Sequence, residues 1–139
     1  MMPVINTRIH FEAAHRQYGD TSKCGYLHGH NWAVDVYIGS DTIMPVGYIV
    51  DFKDLQEVVN KYDHKVLLKE DDPLCDVLEK AGQKVMRLEL NPTCECLSLI
   101  LIRDIAKILP TFQTITLVVH ENEKSNAATK ASYADFRNI

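Results

Sequence analysis

At 139 residues the chain suits one domain, and a domain of this length buries about two-thirds of the surface its unfolded chain exposes. A net charge of -4, with Lys and Arg scattered rather than striped, argues against a basic nucleic-acid footprint. The composition, 46% hydrophobic and 24% charged, is that of a soluble globular protein. Its longest apolar run, residues 97–102, is too short to span a bilayer, and the start shows no charged region followed by an apolar stretch. The expectation is a single domain over residues 1–139, located in the cytoplasm, with neither nucleic acid nor membrane as partner.

Residues 4–15 read as the first strand. Ile5, Ile9, Phe11 and Ala13 share a face by the two-residue period, and His15 is that face's next member. After a connection over residues 16–27, alternation resumes. Trp32, Val34, Val36 and Ile38 occupy one face of a second strand, with His28 and His30 at its mouth on the same side. If the two strands form a hairpin, three imidazoles meet at one rim. Three neutral imidazoles with an open fourth position describe a catalytic zinc site, whereas structural zinc is usually closed by four protein ligands. Nitrogen-only ligation favours zinc over calcium or magnesium and leaves copper, iron and nickel open. The structural alternative is a set of hydrogen-bonded core or rim histidines.

Residues 41–46 read as a turn, and 47–52 as a short extended segment whose Asp51 suits a helix N-cap. Over 53–62 the apolar residues Leu55, Val58, Val59 and Tyr62 fall at helical spacing, which predicts a helix packed on a sheet. Asp63-His64 follows its end; as an isolated pair this is more often plain surface than a proton-transfer dyad. Asp72-Pro73 to Gly82 predicts a short second helix with Leu74, Val77, Leu78 and Ala81 on one side. Asn91-Pro92-Thr93 starts a third helix over 94–109, which Pro110 ends. Cys24, Cys75, Cys94 and Cys96 read as reduced thiols, and Cys94-x-Cys96 as packing in a first helical turn rather than half a metal site.

Residues 112–121 form a strand with Ile115, Leu117 and Val119 on one face and Glu121 as its next position. A carboxylate on a core-facing row needs a partner, because burying an unpaired charge is costly. A salt bridge and a ligand bearing paired N–H donors explain it equally well. Residues 127–136 supply a last strand. The sum is an α+β fold: a four-stranded antiparallel sheet with helices on one face, whose other face and edges invite self-association into a closed ring.

Several short stretches together carry a family resemblance. Phe11-Glu12-Ala13-Ala14-His15, Cys24-x-x-x-His28-Gly29-His30, Gly47-Tyr48-Ile49-Val50-Asp51-Phe52, Asp63-His64, Asn91-Pro92-Thr93-x-Glu95 and Val119-His120-Glu121 stand in the order seen in one family. The chain resembles the 6-pyruvoyl-tetrahydropterin synthase superfamily, and within it the 6-carboxytetrahydropterin synthases of queuosine (7-deazaguanine) biosynthesis. Three residues between Cys24 and His28 look like the carboxy-forming branch; the pyruvoyl-forming branch typically has a longer gap. The resemblance implies a T-fold (tunnelling fold), a homohexamer of two trimers, and sites assembled from neighbouring subunits. It implies Zn2+ on His15, His28 and His30, Cys24 as catalytic thiol, Asp63 with His64 as a second proton-transfer pair, and Glu121 as the anchor of a pterin triphosphate substrate. Asn122 departs from the family's frequent threonine, and Tyr62 from its frequent leucine. The rival readings are a pyruvoyl-forming synthase and a non-catalytic module with a closed Cys-His zinc site.

Overall fold

In the computed structural model, which describes residues 1–137, the two histidine-bearing strands form the expected hairpin. Strand β1 (Val4–His15) runs antiparallel to β2 (His28–Gly39), in register from Val4 opposite Gly39 to His15 opposite His28. Both apolar rows therefore face the same side: Phe11 and Trp32 stack with ring centroids 5.8 Å apart, an arrangement worth about 0.5–1.5 kcal/mol beyond the area it buries. The end of that register is what sets His15 beside His28.

The sheet has six strands, not the four read from alternation, in the order β4-β3-β1-β2-β5-β6. The two unforeseen members are β3 (Lys65–Lys69) and β4 (Val85–Leu88). Leu67 and Leu68 of β3 are both fully buried, so the strand is covered on both faces and shows no two-residue period. β3 runs parallel to β1, and β4 parallel to β3. A parallel pair needs a crossover, which α2 (Leu74–Lys80) supplies. The other four strands remain antiparallel, with β5 (Thr114–His120) on β2 and β6 (Asn126–Ser132) on β5.

Helix α1 (Phe52–Asn60) begins where Asp51 accepts a hydrogen bond from the Lys53 N–H, and buries Leu55, Val58 and Val59. Tyr62, just beyond it, is buried with its hydroxyl donating to Asp104 at 3.1 Å, so the larger ring finds both space and a polar partner. Helix α3 (Cys94–Ile108) is capped by Thr93 and buries Leu97, Leu101, Ile102 and Ile105. α1 and α3 pack on one face of the sheet.

Three local expectations need correction. Residues 47–50 are irregular rather than extended: a turn closed by the Gly47 N–H on Met44 O holds Gly47 at φ +101°, a conformation glycine adopts without Cβ strain. α2 buries Cys75, whose Sγ lies 3.5 Å from Lys69 O, and leaves Val77 exposed, so the side turned inward is not the predicted stripe. The last strand ends at Ser132, where a capping box with Asp135 turns the chain into a single 3-10 turn, Tyr133–Phe136.

Candidate metal centre and active site

His15, His28 and His30 converge at the core-side rim of the β1–β2 hairpin, with one donor atom from each within 4.8 Å of the others. His15 is fully buried and the other two are half-buried. The orientation of two rings is fixed by backbone carbonyls. His15 donates from Nδ1 to Pro92 O at 2.7 Å, and His28 donates from Nδ1 to Tyr26 O at 2.7 Å. A carbonyl only accepts, so both neutral rings present a bare Nε2, and these two atoms face each other at 3.1 Å. Two opposed lone pairs at that separation call for a cation between them. The third ring adds the same demand: His30 Nε2 is buried without a hydrogen-bond partner. Burial lowers the pKa of His15 and of His30, favouring the neutral form that ligates. The donor set therefore fits a metal of the zinc type, and the carbonyl contacts supply the outer-shell orientation such sites use.

Glu121 follows the end of β5 on the same face. Its carboxylate lies 3.5 Å from His30 Nε2 and 3.9 Å from His15 Nε2. Asn122 accepts from the N–H groups of Lys124 and Ser125, and Glu121 N–H donates to Ser125 O, so the residue departing from the family's threonine closes the turn that holds Glu121. Cys94, at the start of α3, packs beside it; burial and then the Glu121 charge push its thiol up to about 11. It behaves as a buried small hydrophobe, in line with the packing role read for it.

Cys24 sits in a 3-10 turn, Lys23–Gly25, within the 16–27 connection. That connection folds tightly on itself: Gln17 N–H donates to Cys24 O at 2.9 Å, and Gly25 packs against Asp20, where a Cβ would stand 2.1 Å from the Asp20 carbonyl oxygen. Asn91 clamps it from outside, accepting from Tyr18 N–H and donating to Tyr18 O. Among the described residues Cys24 is not one of the clustered metal donors. The Asn91-Pro92-Thr93 stretch thus does more than cap a helix: it holds the thiol's loop, orients His15 and starts α3. The sequence signal for this was only the motif match, since the contacts cross more than seventy positions.

Asp63 and His64 do form a pair, Nδ1 of His64 donating to Asp63 at 2.9 Å, with His64 at φ +56°. Both are pinned to β1: Glu12 N–H donates to Asp63, and His64 N–H to Glu12 O. That backbone bond, followed by the His64 contact, lowers the Asp63 pKa. His64 is exposed and lines a cleft of about 550 Å3 with Glu12, Gly29, Asn31, Lys65 and Lys84. A second cleft of about 670 Å3 contains Glu121, His120, His10 and Arg8, and His30 borders both. Among the described residues no hydrogen bond joins Asp63–His64 to the three clustered histidines. Sequence reading missed a further group, Asp35, which is 7% exposed and accepts two hydrogen bonds from Arg8 and one from His120 on the sheet face opposite α1 and α3.

The fold is an α+β T-fold, and its three-histidine rim with a carboxylate beside it is a candidate metal site. The chain belongs to the 6-pyruvoyl tetrahydropterin synthase family, which it matches over residues 4–132. It is 34% identical over 116 residues to a probable 6-carboxy-5,6,7,8-tetrahydropterin synthase of Halobacterium salinarum, covering 81% of this chain and 77% of that protein. It is 37% identical over 99 residues to the 6-carboxy-5,6,7,8-tetrahydropterin synthase of Rickettsia bellii, covering 66% and 72%. The fold is similar to that of a 6-pyruvoyl tetrahydropterin synthase from Plasmodium vivax, with a TM-score of 0.70 at 17% identity over 95% of this chain and 99% of that one. Among the described residues no helix is long and apolar enough to cross a membrane.

Proposed function

We propose that this chain is a zinc-dependent 6-carboxytetrahydropterin synthase of queuosine (7-deazaguanine) biosynthesis, working as a single cytoplasmic domain in a homohexamer. It would convert 7,8-dihydroneopterin triphosphate and one water molecule to 6-carboxy-5,6,7,8-tetrahydropterin, releasing acetaldehyde and triphosphate. The observation that carries the reading is the meeting of two bare imidazole nitrogens and a third without a hydrogen-bond partner, with the Glu121 carboxylate beside them. The names of the relatives and the short Cys24-to-His28 spacing support the carboxy-forming branch.

His15, His28 and His30 hold the ion. A bound zinc ion supplies Lewis-acid charge that lowers hydroxyl pKa values and stabilises developing enolate-like charge. Glu121 accepts the pterin's amino group and ring N–H in two parallel hydrogen bonds, which orients the ring. Cys24, as thiolate, takes the proton from the side-chain carbon next to the ring. His64, its Nδ1 donating to Asp63, returns protons from Nε2 during tautomerisation and triphosphate loss. Among the described residues no hydrogen bond joins this pair to the three histidines within one chain, which fits a site completed by a neighbouring subunit.

Purified protein incubated with 7,8-dihydroneopterin triphosphate tests the reading. Acetaldehyde together with a 6-carboxy product supports it. A pyruvoyl product moves the chain to the other branch, and metal retention without turnover makes it a binding module.

A further inference from the structure

Resting on that reading of the three histidines, we infer that Glu121 is the fourth metal ligand in the substrate-free protein, so that the site is closed until a pterin draws the carboxylate away. Metal–donor bonds of about 2.0–2.1 Å place tetrahedral donors about 3.3 Å from one another. Three of the separations lie near that figure: 3.1 Å between the Nε2 atoms of His15 and His28, 3.5 Å from Glu121 Oε1 to His30 Nε2, and 3.9 Å from the other carboxylate oxygen, Oε2, to His15 Nε2. The contact between Glu121 and His15 is otherwise hard to explain. His15 already spends its N–H on Pro92, so a neutral ring turns a lone pair towards the carboxylate, and one acceptor does not bond another. Nor does a nearby cation account for it: among the described residues Glu121 lies within 4 Å of the rings of His15 and His30 and forms no ion pair with a lysine or arginine. The carboxylate is three-quarters buried, where an uncompensated charge is costly.

The same carboxylate then serves two partners in turn. On the metal it excludes water; on the pterin it takes two N–H donors. Exchange between them couples recognition of the ring to exposure of the metal position that the side-chain hydroxyls use. A competitor without the paired N–H donors would leave the site shut, which makes Glu121 a determinant of specificity as well as of binding.

The test compares wild type, Glu121→Gln and Glu121→Asp, each stripped of metal and titrated with cobalt(II), reading affinity and the visible absorption of the bound ion. If Glu121 ligates, both variants lose at least about tenfold in affinity. The cobalt spectrum of Glu121→Gln also becomes pH-dependent near neutrality, as a metal-bound water takes the vacated position and ionises there, while the wild-type spectrum does not. Equal affinity and identical spectra in wild type and Glu121→Gln overturn the inference and leave the three-histidine reading standing. Wild-type affinity in Glu121→Asp, with loss confined to Glu121→Gln, also overturns it, because charge alone would then suffice. Cobalt uptake by none of the three proteins, each folded by circular dichroism, overturns the metal reading and this inference together.

Discussion

His15 and Pro92 are 77 positions apart in sequence, yet the Nδ1–H of one donates to the carbonyl of the other at 2.7 Å inside the core. This single bond links the metal rim at the end of β1 to the turn that starts α3. The ring therefore reaches the site with its Nε2 already bare, and no rotation or proton transfer is needed when an ion binds.

Loosening the Pro92 turn should be felt at the metal. Thr93 caps α3 through the Cys96 N–H, and Thr93→Ala should cost about 1 kcal/mol of stability. The displaced carbonyl should also weaken metal binding roughly tenfold. Competition with a chelating dye measures the second effect; an unchanged affinity would show that His15 is held by packing alone.

Cys24→Ala should cut turnover by about a hundred- to ten-thousand-fold while leaving metal content intact, as expected for a proton-transfer group outside the donor cluster. Elemental analysis of the purified variant decides the point. Metal lost along with activity would make Cys24 a ligand.

Gly25→Ala should damage the loop that carries the thiol. The added Cβ would lie 2.1 Å from the Asp20 carbonyl oxygen, so the 3-10 turn must shift, at a cost of about 1–3 kcal/mol. A lowered Tm together with a reduced kcat is the expected result. A variant that melts and turns over as wild type does would mean that the connection can open without consequence.

Asp35 should make stability depend on pH on the acid side. The hydrogen bonds from Arg8, opposed by burial and reinforced by His120, hold its folded pKa below the ordinary carboxylate value. A depressed folded pKa gives stability that is fully present above the unfolded value of about 3.9 and is lost as pH falls through the lower folded one. Asp35→Asn should therefore melt several degrees below wild type at about pH 5, and the gap should close by about pH 2. A gap that stays constant across this range would assign the loss to packing instead.

How far the sequence could be read depended on whether a feature was local. Two-residue alternation identified β1, β2 and the core of β5, and because the hairpin register follows from matching apolar rows, the meeting of His15, His28 and His30 was legible in advance. Caps at Asp51 and Thr93 bounded two helices in the same way. β3 and β4 were invisible because strands buried on both faces, or only four or five residues long, leave no periodic signal.

The chain's own order of residues determined the rim of imidazoles, the carboxylate closing the β5 row, and the hairpin that joins two of these elements, since each follows from side chains alternating along one strand. Only the tertiary structure decided that Glu121 lies within 4 Å of His15 and His30, that Pro92 orients His15, and that Asp63–His64 stands on β1 at Glu12. Those contacts join segments dozens of residues apart. Nothing in local periodicity encodes such distances; they exist because closing one hydrophobic core brings remote backbone groups together where each buried donor must find an acceptor.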